Sequence, residues 1–332
     1  MGLSARVLEA GTGVGGTWYW NRYPGARVDI ESMQYSYQFD DDLAQEWEWS
    51  EKYSPQPQLL KYAEHVAERF DLLKDIQFNT RVASATYDET AAEWTLAGED
   101  GSEKIGRFYV MATGCLSVPN RPQVDGMDDF EGPIYQTGRW PHEGVDFTGK
   151  RVGMIGTGSS AIQSIPVIAA EAAELTVFQR TPNYTIPAHN APMDPDYAKA
   201  IKGRYREFRA EASTTGSGIH AVYHTDSVLD APQEERERRY WERWNLGGLG
   251  FMGSFGDQML TQEGNDYAAN FVRERIREQV KDPETADKLS PKNLIGAKRL
   301  CVDTNYWPTY NQPHVSLVDI REEPLERIEG ST

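Results

Sequence analysis

Gly156-Thr157-Gly158-Ser159-Ser160-Ala161 is a GxGxxA run, a spacing that can hold a pyrophosphate. The first glycine permits a tight turn, the second lets the backbone approach a phosphate, and the small third position lets a helix pack on the preceding strand. Amide groups opening that helix, here beginning at Ser159 and Ser160, then face the anion. Arg180, followed by Thr181, lies 24 residues after Gly156, about the distance at which such folds read the ribose. An acid there would accept the 2′-hydroxyl and repel a 2′-phosphate, whereas arginine and a hydroxyl bind the phosphate. The pair predicts NADP(H).

A second glycine turn, Gly11-Thr12-Gly13-Val14-Gly15-Gly16, follows Ala5–Glu9, which reads as a short buried strand ending in a carboxylate. In a dinucleotide-binding βαβ unit such an acid closes the second strand, about 20 residues after the phosphate-binding glycines. Counting back from Glu9 runs off the start of the chain. Glu9 is then either an ordinary strand-end acid or the ribose ligand of a nucleotide-binding unit whose first strand and glycine loop lie outside this chain, and the second is expected. Other chemistries lack their residues. No HExxH motif and no GxSxG turn occur, and Cys115 and Cys301 lack any CxxC partner. No metal is expected, and the thiols are expected to pack.

The elements that must position these residues follow from periodicity. Apolar residues at Leu59, Leu60, Ala63, Val66, Ala67 and Phe70 predict a helix within 54–73, and strands are expected at Ile76–Asn79, Val82–Tyr87, Trp94–Ala97 and Phe108–Ala112. Residues 151–156 form a strand, Ser159–Ala172 a helix, Glu174–Gln179 a strand and Val315–Ile320 the last strand. Residues from about 190 to 290 read as a helical insertion with charged helices at Pro232–Trp244 and Asn265–Lys281 and solvated charge runs. The Gly-rich stretch Leu246–Phe255 between them is either a mobile lid or a connector. Tyr306 and Trp307 line a nicotinamide pocket or belong to the core.

With 332 residues the chain has room for two domains. Its 34 Lys and Arg against 51 Asp and Glu leave a formal charge of −17, which argues against nucleic acid or an anionic membrane surface as partner. No apolar run approaches the roughly 20 residues of a membrane span, and the start lacks a signal-peptide pattern. A cytoplasmic protein is expected.

Several segments together carry a specific resemblance: Gly11–Tyr37 (GTGVGGTWYWNRYPGARVDIESMQYSY), Ala112-Thr113-Gly114, Phe130–Pro141 (FEGPIYQTGRWP), the GxGxxA run, and Gly296–Tyr306 (GAKRLCVDTNY). The chain resembles the type I Baeyer–Villiger monooxygenases over nearly its whole length. The family signature FxGxxxHxxxWP falls on Phe130, Gly132, Gln136, Trp140 and Pro141, with Gln136 in the histidine slot and His142 outside it.

The resemblance implies an α/β fold with two Rossmann-like dinucleotide-binding domains, the FAD part incomplete, and a helical insertion. The implied boundaries are a partial FAD domain over 1–135, an NADP domain over 136–190 and 291–332, and the insertion over 191–290. The family has a further glycine loop ahead of the strand matching Ala5–Glu9 and continues beyond the position of Thr332, so the chain corresponds to the middle of such an enzyme and is expected to hold FAD weakly or not at all by itself. The implied cofactors are FAD and NADP(H), and the implied reaction converts a ketone and O2 to an ester or lactone through a C4a-peroxyflavin. Carried over by position, Glu9 would hold the FAD ribose, Gly15, Gly16, Thr17 and Trp18 would approach the flavin nucleotide, and Asp29 would be the active-site acid. Arg299 would be the catalytic arginine and Lys298 a 2′-phosphate ligand. A planar, permanently charged donor suits Arg299, because the peroxide and its ketone adduct are both anionic. The alternatives are a flavin monooxygenase acting on nitrogen or sulfur, and an NADP-binding fragment without catalysis.

Overall fold

The computed structural model describes residues 2–116 and 118–330. They form two units, one of Met1–Arg22, Gln56–Arg121 and Tyr135–His142, the other of Tyr23–Pro55, Pro122–Ile134 and Glu143–Thr332.

In the first unit β1 (Val7–Leu8) pairs in parallel with β2 (Ile76–Gln77). A three-stranded antiparallel meander follows: β3 (Val82–Asp88), β4 (Glu93–Gly98) and β5 (Glu103–Gly106), with Trp94 opposite both Tyr87 and Gly106. The helix Gln56–Arg69 buries Leu59, Leu60, Tyr62, Val66 and Ala67 along one face, the spacing that made it legible. The turn Gly11–Gly16 wraps Tyr19, whose hydroxyl oxygen accepts the Thr12 N–H at 3.0 Å. A side chain at Gly11 would press on the Tyr19 ring, and one at Gly15, φ +115°, on Leu60. Phe108–Ala112, expected as a strand, forms none: no ladder among the described residues includes it, and Phe108, Val110 and Met111 are exposed. An apolar run becomes a strand only where a neighbour supplies hydrogen bonds.

The second unit is α/β. β6 (Arg151–Ile155) lies beside β7 (Glu174–Gln179) in parallel, joined by the helix Ser159–Glu171. β8 (Thr185–Pro187) pairs in parallel with β9 (Cys301–Asp303), and β10 (Val315–Asp319) completes the first sheet in the order β10-β7-β6. β7 is central, so its Leu175 and Val177 are fully buried, as are Ile162 and Ile165 on the helix.

Helices fill much of the stretch 195–289, the longest being Gln233–Leu246 and Gln262–Gln279. Against the expectation of solvated charge runs, part of their charge is buried. Arg239, Arg243 and Arg275 are buried; Arg239 pairs with Asp226 at 2.8 Å and Arg275 with Glu278 at 2.6 Å. Arginine stems cover apolar surface while the fork finds partners. The Gly-rich stretch is a packed connector: Phe251 and Phe255 are buried beside Tyr240, and a Cβ at Gly248, φ +70°, would strike the Tyr53 hydroxyl. Trp307 is core too, stacked on Trp244 with ring centroids 6.0 Å apart. Cys301 is buried, but Cys115 is exposed, against the expectation that both thiols pack. Among the described residues no helix is long and apolar enough to cross a membrane, and no cluster of His, Cys, Asp and Glu could hold a metal.

Candidate functional site

β6 runs into Gly156, whose φ of +106° is a conformation that side-chain-bearing residues rarely adopt. Gly158 is the N-cap of the helix Ser159–Glu171, and no side chain caps that end, so its first peptide N–H groups are left for another acceptor. A Cβ built on Gly156 or Gly158 meets nothing within 4 Å. The turn is an open cradle beside unpaired donors, a geometry that fits a pyrophosphate. Two bonds lock it to the chain leaving β7: the Thr157 hydroxyl donates to the Thr181 carbonyl at 3.0 Å, and Asn183 donates to the Thr157 carbonyl at 2.7 Å. Arg180 is exposed and Thr181 half-buried. Lys298 is exposed beside Arg299.

Ser159 also faces a second cluster. Asp29 is buried, and its Oδ2 accepts from Arg299 Nη2 at 2.6 Å and from the Ser159 hydroxyl at 3.3 Å. Its Oδ1 accepts from Gln163 Nε2 at 3.0 Å. Burial pushes the Asp29 carboxyl above the usual range, while Arg299, Ser159 and Gln163 pull it back. Arg299 itself is open, its side chain 67% exposed against 4% for that of Asp29, so one end of the guanidinium is anchored and the rest faces outward. Cys301, next to this pair, has its thiol pushed up to about 11 by burial and then by the Asp29 charge, which leaves it an inert thiol near neutral pH.

Thus Asp29, Ser159 and Arg299, three of the residues singled out in the sequence, meet at one place. Sequence reasoning missed Gln163, and it gave no role to Tyr23 within the segment Gly11–Tyr37; the two complete the cluster, and a glutamine four residues into a helix matches no motif.

The remaining sequence candidates belong to the first unit. Glu9, just beyond β1, accepts the Gly11 N–H through Oε1 at 2.7 Å, so part of its carboxylate shapes the glycine turn. Gly15 and Gly16 both have positive φ, a Cβ at Gly16 meets nothing, and Thr17–Trp20 forms one helical turn. Trp18 contributes its carbonyl to a bond from Gln56 at 2.5 Å. Thr12, Gly16 and Thr17 of this turn are exposed beside the acid, while its Gly11 and Thr12 N–H groups are already bonded to Glu9 and Tyr19. In the signature segment, Gln136 precedes the turn Thr137–Arg139, Trp140 is buried, and His142 packs edge-on against Tyr19 at 5.0 Å.

The flavin-binding monooxygenase-like family model matches residues 35–194. A 2-oxo-Δ3-4,5,5-trimethylcyclopentenylacetyl-CoA monooxygenase of Pseudomonas putida is 42% identical over 98% of this chain and 62% of its own length. A phenazine N-monooxygenase of Lysobacter antibioticus is 39% identical over 99% of this chain and 61% of its own. Among solved structures, an oxidized steroid monooxygenase bound to NADP is 52% identical with a TM-score of 0.95, over 99% of this chain and 63% of that one. The chain therefore spans about three-fifths of the length of these relatives.

Proposed function

Because this chain belongs to the Baeyer–Villiger branch of the flavin-binding monooxygenase-like family, we propose that it carries the NADP-binding and oxygenating centre of an NADPH- and FAD-dependent monooxygenase that converts ketones to esters or lactones. The observation that carries this reading is the Asp29–Arg299 pair at 2.6 Å, bonded through Ser159 to the helix that opens the GxGxxA cradle. Gly156, Gly158, Ser159 and Ser160 would hold the NADP pyrophosphate, and Arg180, Thr181 and Lys298 its 2′-phosphate. Glu9 and Gly15–Trp18 would face FAD. When bound, the two cofactors supply hydride and activated oxygen.

The protein's own part is electrostatic. An attacked ketone carbonyl develops negative charge on oxygen, and a fixed guanidinium stabilises it without reorganising. Asp29 fixes that guanidinium at one nitrogen and leaves the others for the substrate. Arginine also keeps its proton where a desolvated lysine would lose it. Placing the arginine and the dinucleotide helix in one hydrogen-bonded cluster orients both toward the same reaction volume. The test is product analysis with cyclic and aryl ketones, NADPH and FAD, beside anaerobic flavin reduction. Ester or lactone formation that vanishes in Arg299→Ala, with reduction retained, supports the reading. Retained ester formation in that variant overturns it.

A second reading, oxygenation of nitrogen, is favoured by the similarity to the phenazine N-monooxygenase. Nitrogen oxidation develops no carbonyl oxyanion, so it would survive loss of Arg299 far better.

A further inference from the structure

Gln163 lies one turn into the helix Ser159–Glu171, is 8% exposed, and spends every hydrogen-bonding position of its side chain on one loop. Its Nε2 donates to Asp29 Oδ1 at 3.0 Å and to the Arg27 carbonyl at 3.2 Å. Its Oε1 accepts the Tyr23 hydroxyl at 2.9 Å and the Arg27 N–H at 3.3 Å. Two donors and two acceptors are all that a primary amide has. The reverse amide orientation would set its oxygen against a carboxylate and a carbonyl, so only one orientation is tenable.

The backbone is built for this approach. Gly25 has φ +77°, and a Cβ there would collide with the Gln163 carbonyl oxygen. The loop 23–29 therefore lies directly on the helix, and its acid is read by a side chain rather than by solvent.

We propose that Gln163 is a positioning residue for the Asp29–Arg299 pair: by occupying Oδ1 of Asp29 it turns Oδ2 toward the guanidinium and so sets where Arg299 points. This rests on the reading of that pair as the oxygenating centre. Asparagine is one methylene short of the carboxylate, glutamate supplies no donor when ionised, and leucine supplies neither donor nor acceptor. Ser159 reaches the same Oδ2 as Arg299, so it cannot replace the bond to Oδ1.

The readout is the titration of Asp29 in the chain without cofactors, followed by 13Cγ chemical shift and assigned through Asp29→Asn. The charged or titratable groups that bear on Asp29 are Arg299, Tyr23, Tyr53 and Cys301, all unchanged in the variants. Gln163→Leu removes a hydrogen bond to the ionised form and moves the Asp29 midpoint upward by about one pH unit, the scale of one bond to a charged group. Gln163→Glu, nearly isosteric, moves it upward too by adding a like charge. In the parent protein the Gln163 side-chain NH2 resonances shift with the same midpoint as Asp29, a measurement that needs no variant to fold. A purely structural role would lower the melting temperature and leave the midpoint in place. Unmoved midpoints in the folded variants, or parent amide resonances that ignore Asp29 ionisation, overturn the proposal. Failure of the oxygenation reading is a separate result: ester formation unaffected by Arg299→Ala while Asp29 still responds to Gln163.

Discussion

Replacing Arg299 with alanine separates what the Asp29–Arg299 pair does for folding from what it does for chemistry. The pair is short, 2.6 Å, but the arginine side chain is 67% exposed, so solvent screens it and its contribution to stability is in the range of surface pairs, about 0–1 kcal/mol. Asp29 loses more. It stays buried with only Ser159 and Gln163 as partners, and its carboxyl, already raised by burial, rises further. A carboxyl whose folded value exceeds its unfolded one stabilises the protein fully below the unfolded value and loses that contribution as pH climbs through the folded one. The variant should therefore melt close to the parent at acid pH and fall progressively below it as pH rises from about 4, the unfolded carboxylate value. Chemistry should suffer far more: removal of one preorganised oxyanion donor costs about 10²–10³ in rate. Arg299→Lys should recover little, since a lysine lacks the planar fork that meets Asp29 and a substrate together. Thermal melts across pH, ester yield with NADPH and FAD, and anaerobic flavin reduction give the three readouts. A variant with parental ester formation, or a melting difference independent of pH, would refute the reasoning.

Arg180→Ala should weaken NADPH by about tenfold or more while leaving NADH nearly unchanged, one charged contact being worth roughly 1.5–3 kcal/mol; calorimetric titration with both nucleotides checks it, and equal losses would remove the 2′-phosphate assignment. Gly158→Val has no native atom within 4 Å of its new Cβ and needs no left-handed backbone, so it should melt like the parent yet lose dinucleotide binding, because the side chain fills the cradle; binding that persists would place the pyrophosphate elsewhere. Asp303, buried and bonded by the Thr185 hydroxyl and the Tyr306 N–H, has its carboxyl raised to about 6 by burial. The parent should therefore lose stability between about pH 4 and 6, by at most about 1.4 kcal/mol per pH unit, and Asp303→Asn should flatten that slope in denaturant titrations run across the window.

Local pattern determined much of this protein. The GxGxxA turn, its flanking strand and helix, and β7 ending before Arg180 were legible because their signals are contained within some thirty consecutive residues of periodicity and turn chemistry. The helix Gln56–Arg69 and β10 were legible for the same reason. Tertiary structure alone decided the rest. Asp29 and Arg299 are 270 residues apart, so a family resemblance could name each, but only the packing of the 23–29 loop on the helix through Gly25 could bring them within a hydrogen bond. Gln163 left no trace in the sequence because a buried amide is specified by its partners, not by its neighbours along the chain. The same reason explains two departures. Phe108–Ala112 has the composition of a strand but no ladder, and pairing is a non-local property. Arg239, Arg243 and Arg275 read as a solvated charge run, yet folding buried them where an ion pair, a backbone carbonyl or an aromatic face happened to converge, a compensation for desolvation that composition cannot express.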